Sequence, residues 1–177
     1  MELRKCTIFT PLGEMRAAAE GDALVGLRFS GQKYDCNYGK EWSEEPDYPL
    51  FKALGTQLDA YFSGRPENFD IPLSLRGTPF QRAVWGLLRT IPAGKTSTYG
   101  ALAIQLREQG RAAYPRAVGG AIGRNPLSLI VPCHRVIGSN GRLTGYAGGL
   151  DRKALLLDLE KGADPGMAYS PRGGQKT

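Results

Sequence analysis

The sequence has almost no histidine and little cysteine. Across 177 residues it holds one histidine, His134, and three cysteines, Cys6, Cys36 and Cys133. An odd number of widely spaced cysteines excludes a disulfide framework. One histidine without any Cys-x-x-Cys pair argues against a structural zinc site. No apolar run reaches the roughly 20 residues that span a bilayer. The stretch from Met1 to Met15 lacks the apolar block of a signal peptide. These absences predict a cytoplasmic protein with reduced thiols and no membrane segment. What is present is ordinary for a globular chain. The hydrophobic share is 41%, with 24 glycines and 12 prolines, which suits one domain or two small ones and excludes a collagen-like or disordered chain.

Charge is unevenly divided. Residues 1–75 carry 8 Lys+Arg against 12 Asp+Glu, and residues 76–177 carry 15 against 5. Eleven of those 15 cations are arginines, whose planar fork suits phosphate and base recognition. A basic solvated surface is the simpler account, but so sharp a split favours nucleic-acid binding.

The pattern along the chain predicts strands first and helices later. Thr7 to Phe9, Met15 to Ala19 and Leu24 to Phe29, separated by Thr10-Pro-Leu-Gly13 and Gly21-Asp22, predict an antiparallel meander. Residues 30–47 read as a long polar loop. Leu50, Phe51, Leu54, Leu58, Tyr61 and Phe62 recur at helical spacing, with Gly64 as a stop. Phe69 to Leu75 reads as an edge strand containing Pro72. After a boundary at Arg76-Gly77, Thr78 caps and Pro79 opens a helix whose apolar face is Phe80, Val84, Leu87, Leu88 and Ile91. Ser97 or Thr98 caps a second helix from Tyr99, and Pro115 opens a third that ends before Asn125-Pro126. Helix, loop and short helix in a basic region resemble a helix-turn-helix. Ser139-Asn-Gly141 predicts a tight hairpin. Leu150 to Lys161 reads as a last helix with Leu155, Leu156 and Leu159 inward and Gly162 at its end. The expected units are an N-terminal domain over 1–75, a C-terminal domain over 76–164, and a disordered tail over 165–177.

Two segments stand out chemically. Gly119-Gly120 lies inside the third helix, where glycine costs about 1 kcal/mol relative to alanine. Either tight packing against a neighbour or close approach to a DNA backbone accounts for it. Cys133 sits in Val131-Pro-Cys-His-Arg-Val136, beside the sole histidine and an arginine. Positive neighbours favour the reactive thiolate, although a lone cysteine is usually a small buried hydrophobe. On these residues alone both readings of Cys133 stay open.

Taken together, these motifs resemble the 6-O-alkylguanine-DNA alkyltransferases. The carriers are Pro132-Cys-His-Arg-Val136, Arg116-Ala-Val-Gly-Gly-Ala121, Asn125-Pro126, Gly77-Thr-Pro-Phe-Gln-Arg82, Thr90-Ile-Pro-Ala-Gly94, Thr98-Tyr-Gly100 and Thr144-Gly-Tyr-Ala-Gly-Gly149. The likeness is close over about 76–162 and loose before it. It implies an N-terminal ribonuclease-H-like α/β domain followed by a helical, winged-helix-like domain with a helix-turn-helix. It further implies direct reversal of damage in double-stranded DNA containing alkylated guanine, by a monomer without cofactor or metal. The lesion lies inside the duplex, so the base must leave the stack.

The resemblance also implies roles for particular residues. Cys133 takes the alkyl group. Glu160 polarises His134, which a water links to Cys133, and Asn125 braces the turn. Arg116 is the finger that fills the gap left by the base, with Ala117 beside it. Tyr99 helps rotate the nucleotide and donates its hydroxyl to the ring. Backbone acceptors at Cys133 and Val136 and the amide of Ala147 read the base, and Arg135 and Tyr146 complete the substrate- and DNA-binding set. Many relatives carry serine where Ala147 stands. Because a thioether does not hydrolyse, each molecule acts once. Two rivals are weaker. A helix-turn-helix regulator would show a recognition helix rich in base-reading side chains, whereas this one is mostly Ala, Gly and Ile. A cysteine hydrolase needs a histidine brought from elsewhere in the chain.

Overall fold

A computed structural model describes residues 2–34, 39–65 and 68–163. Cys36, residue 164 and the tail over 165–177 lie outside the described residues. The chain opens with β1 (Leu3–Thr10), β2 (Gly13–Glu20) and β3 (Ala23–Phe29), paired antiparallel in sequence order. Met15, Ala17 and Ala19 of β2 join the core with Leu24, Leu27 and Phe29 of β3; Ala18 is buried as well, and a bulge at Ala18/Ala19 breaks the two-residue period. The polar stretch read as a loop contributes β4 (Ser43–Glu44), parallel to β1 at the sheet edge. Two exposed polar residues offer no alternation, so the pattern could not reveal this strand. The expected edge strand over Phe69–Leu75 is corrected to a single bridge from Leu73 to Leu24. Leu24 N donates to Pro72 O (2.8 Å) and Ser74 N to Leu24 O (2.9 Å). Pro72, lacking an N–H, cannot extend the ladder.

Helix α1 (Pro49–Phe62) buries Phe51, Leu54, Leu58, Tyr61 and Phe62. Gly64 then takes φ 78°, a left-handed turn that ends the helix cheaply only for glycine. Helix α2 (Pro79–Leu88) starts from a full capping box. The Thr78 side chain accepts from Gln81 N (3.2 Å), and the Gln81 side chain accepts from Thr78 N (2.9 Å). Its buried face is Val84, Trp85 and Leu88. Trp85, absent from the expected face, donates Nε1–H to Ala121 O (2.9 Å) and so pins α2 to α4. Helix α3 (Tyr99–Glu108) is capped by Thr98, and α4 (Pro115–Gly123) follows. Short strands β5 (Ser97–Thr98) and β6 (Val136–Ile137) pair parallel. The expected hairpin at Ser139–Gly141 is a closed turn, with Gly138 and Arg142 bonded, but β6 gains no returning strand. Helix α5 (Leu150–Glu160) buries Lys153, Leu156, Leu157, Leu159 and Glu160, and Leu155 is only half-buried.

One contiguous apolar cluster runs from β1–β3 through α1 and α2 to α4 and α5. Backbone bonds also cross between the two halves. Leu27 N donates to Pro126 O and Ser128 N to Leu27 O, each 2.8 Å, so β3 holds the segment leading to Cys133. Arg152 of α5 donates to Leu12 O (2.8 Å) and stacks over Phe29 at 4.5 Å. The capping box yields a direct expectation. Thr78→Ala should cost about 1 kcal/mol, lowering the thermal midpoint by roughly 2–4 °C in a melt followed by circular dichroism.

Candidate active site

Cys133, His134 and Arg135 form one turn of 3-10 helix after Pro132. Successive side chains on such a turn diverge by about 120° rather than the 180° of a strand. Adjacent Cys and His therefore both point inward, at 5% and 0% exposure. Asn125, two residues past the end of α4, braces this turn. Its Nδ2 donates to Val131 O (2.7 Å) and to Cys133 Sγ (3.1 Å), while its Oδ1 accepts from Leu127 N (2.9 Å).

Glu160, the last residue of α5, gathers the other partners. Its Oε1 lies 2.6 Å from His134 Nε2. Arg135 grips both carboxylate oxygens, Nε to Oε2 (2.9 Å) and Nη2 to Oε1 (2.8 Å). A helix C-terminus disfavours an anion, and these donors offset that penalty. Burial raises the proton affinity of Glu160, but the bonds from His134 and Arg135 outweigh it and hold the carboxyl well below the usual range. Gly94 allows the approach. At φ 77° it faces the Glu160 carbonyl, where a Cβ would sit 3.2 Å from the oxygen.

The sequence leaves open both a thiol lowered by positive neighbours and a buried structural cysteine. In the fold, burial dominates and raises Cys133, against the opposing effects of Asn125, Lys153 and the turn's own N–H groups. Burial likewise lowers His134, against the pull of Glu160. The resting pair is thus neutral thiol and neutral imidazole. His134 Nδ1 is fully buried with no hydrogen-bond partner among the described residues. With Nε2 committed to Glu160, Nδ1 is the nitrogen left to receive a proton.

A cavity of about 460 Å³ is lined by Tyr99, Gly119, Gly120, Arg124, Tyr146 and Ala147, among others. Tyr99 donates its hydroxyl to Thr144 O (3.1 Å). The two readings of the α4 glycines can now be separated. A Cβ on Gly119 or Gly120 would make only ordinary contacts at 3.6–3.7 Å, so packing does not demand glycine. Both residues face the cavity instead. Arg116 and Ala117 are exposed in the first turn of α4.

The fold thus groups Cys133, His134, Glu160 and Asn125 in one buried cluster, and Tyr99, Tyr146 and Ala147 around one cavity. It does not bring Arg135 to that cavity, because its guanidinium is committed to Glu160 and to Ile91 O. Val136 is buried, and its carbonyl accepts from Lys153 Nζ. Lys153 is the residue missed by sequence reasoning. It is fully buried, also donates to Thr144 O (2.8 Å), and is lowered by burial to about 8, with Cys133 pulling the other way. Its place on the inward face of α5, three residues before Leu156, was the available signal.

Among the described residues no group of His, Cys, Asp and Glu could hold a metal ion, and no helix is long and apolar enough to cross a membrane. The depressed carboxyl of Glu160 predicts a pH effect. A lowered folded-state value stabilises the protein above the unfolded Glu value of about 4.3, and that contribution is lost as pH falls toward the folded value. Urea midpoints should therefore show Glu160→Gln less stable than wild type at pH 7, with the gap narrowing below about pH 4. A gap independent of pH would contradict the assigned charge state.

Comparison with known proteins agrees with this geometry. Residues 3–75 match the ribonuclease-like domain of 6-O-methylguanine DNA methyltransferase, and residues 79–162 match its DNA binding domain. The methylated-DNA--protein-cysteine methyltransferase of Mycobacterium tuberculosis is 48% identical over 159 residues, covering 90% of this chain and 93% of the relative. That of Haemophilus influenzae is 38% identical, covering 95% and 89%. The crystal structure of Mycobacterium tuberculosis OGT in complex with DNA superposes with a TM-score of 0.80 at 46% identity, over 89% of this chain and 92% of that one. With both domain models matched in order, the chain belongs to the 6-O-methylguanine DNA methyltransferase family.

Proposed function

We propose that this protein repairs DNA by direct reversal, taking 6-O-alkylguanine, chiefly the methyl adduct, out of the duplex and moving the alkyl group irreversibly to Cys133. The observation that carries this reading is the buried thiol held by Asn125 beside a histidine whose far nitrogen is bound to Glu160. The relatives' shared name, methylated-DNA--protein-cysteine methyltransferase, and the DNA in the Mycobacterium tuberculosis structure point the same way. The division into units over 1–75 and 76–164, a monomeric state and a cytoplasmic location belong to the same proposal.

The chemistry follows from the resting charges. Cys133 enters the reaction as a thiol and needs a base. His134 Nδ1 takes the proton through a bridging water, for which an unpartnered buried nitrogen is a fitting anchor. Glu160 then stabilises the imidazolium. The S–C bond forms as the C–O bond breaks, the electron pair passes to the guanine oxygen, and the proton held by His134 returns to the departing base. Guanine leaves in its normal form and the protein keeps a thioether, so one molecule acts once.

Recognition falls to the cavity and to α4. Tyr99, whose hydroxyl is bound to Thr144 O in the free protein, redirects that proton to the base ring. The carbonyls of Cys133 and Val136 and the amide of Ala147 read the base edge, with Tyr146 as a wall. Arg116, with Ala117 beside it, enters the minor groove and occupies the vacated position. The glycines of α4 leave that surface free of side chains. Arg135 acts through Glu160.

Intact and peptide mass spectrometry after mixing with a methylguanine duplex should show one added methyl group, on Cys133, with repaired lesions never exceeding protein molecules. Cys133→Ala should abolish transfer and retain DNA binding; multiple turnovers would refute the mechanism. Arg116→Ala should slow repair of duplex DNA about tenfold more than reaction with the free base. Unstacking costs a few kcal/mol and tenfold is about 1.4 kcal/mol of it. Equal losses on both substrates would make Arg116 structural.

A further inference from the structure

Glu160 has one more donor, and it comes from the other half of the chain. The hydroxyl of Tyr61, in the last turn of α1, donates to Glu160 Oε1 at 2.7 Å, although the two stand 99 positions apart in sequence. Tyr61 is 2% exposed, and its ring packs edge-on against Phe62 (5.2 Å between centroids) and tilted against Phe69 (5.8 Å). Burial and the adjacent carboxylate keep the phenol protonated, so it can only be a donor to that oxygen. The same Oε1 accepts from His134 Nε2 and Arg135 Nη2. On the α1 side a cavity of about 300 Å³ opens, lined by Tyr61, Asn68, Phe69, Arg89, Thr90 and Arg135 among others, and Glu160 is not part of its wall.

We propose that Tyr61 is a positioning residue for alkyl transfer: its hydroxyl pins Glu160 Oε1 from the N-terminal half and closes the His134–Glu160 pair against water from the neighbouring cavity. The inference rests on the repair reading given above. A buried carboxylate oxygen deprived of a donor recruits a replacement, and water in the adjoining cavity is the nearest source. Water at Oε1 would compete with His134 for the carboxylate and give the imidazole proton an exit to solvent. The ribonuclease-like half, which contributes neither the thiol nor the histidine and holds the Cys133 segment through β3, would then touch the catalytic carboxylate through one hydroxyl.

The test exploits His134 being the only histidine of the chain, so one set of imidazole NMR signals reports on it without assignment. Tyr61→Phe removes the hydroxyl and keeps the ring, whereas Phe69→Leu loosens the ring's packing and keeps the hydroxyl. In the full chain, Tyr61→Phe should slow single-turnover methyl transfer about tenfold, leave DNA affinity within twofold, and speed solvent exchange of the His134 Nε2 proton at least tenfold. Phe69→Leu should lower the thermal midpoint with transfer and exchange near wild type. Transfer by Tyr61→Phe within twofold of wild type overturns the proposal, and so does slow transfer with unchanged exchange. Equal effects from Phe69→Leu would make the role one of packing and also overturn it. If Tyr61→Phe does not fold, the wild-type spectrum decides. The Tyr61 hydroxyl proton should exchange slowly and show a cross-peak to the His134 Nε2 proton, and its absence overturns the proposal. Failure of wild type to methylate Cys133 would instead defeat the repair reading and leave the exchange measurement to judge Tyr61 separately.

Discussion

The carboxylate of Glu160 is the interaction on which the rest of the site depends. A buried anion at the C-terminal end of a helix opposes both solvation and the helix dipole, so it persists only where donors converge on it. Here they come from three separate parts of the chain: His134 and Arg135 from the 3-10 turn, Tyr61 from α1, and the backbone N–H of Gly94 at 3.4 Å. Each element must stop where it does for its donor to reach. The glycine at position 94, with φ 77°, lets the α2–α3 connection lie against the Glu160 carbonyl. Removing the carboxylate would leave the largely covered Arg135 with only Ile91 O as a partner, a costlier defect than the absence of the whole pair.

A second constraint ties chemistry to the sheet. β3 bonds on one side to β2 and on the other, through Leu27, to the backbone of Pro126 and Ser128. Asn125 begins that segment and Cys133 follows it, so the brace and the thiol hang from a strand of the opposite half. With Arg152 reaching Leu12 and stacking on Phe29, and Tyr61 reaching Glu160, the halves share a core and a site. The thiol is kept protonated by burial at rest, so its reactivity depends on how firmly these supports hold His134 and Glu160 in place when a base arrives.

Much of this was legible in the residues. Thr78-Pro79, Thr98 and Pro115 announced helix starts by local chemistry that needs no partner, and Gly64 and Gly162 announced helix ends. The strands of the meander were visible as short β-prone runs separated by turns. The motif around Cys133 identified the nucleophile by likeness to a family, where composition alone left it balanced against a buried structural cysteine. Short or proline-broken pairings escaped: β4 is two polar residues, and Leu73 makes one bridge beside Pro72. Arg135 entered the substrate- and DNA-binding set through the family resemblance, and only packing revealed that its guanidinium is bonded to Glu160 and Ile91 O.

The sequence by itself therefore determined the helices, the meander and the charge division, since caps, turns and apolar periods act over a few residues. The tertiary structure alone decided which groups meet. Tyr61 looked like one more apolar position of α1, Lys153 carried no signal of its own beyond its spacing from Leu156, and the α4 glycines fitted either tight packing or close approach to a DNA backbone. Their roles are set by contacts between residues far apart in the chain, and by the water that burial removes. No local pattern encodes either of these.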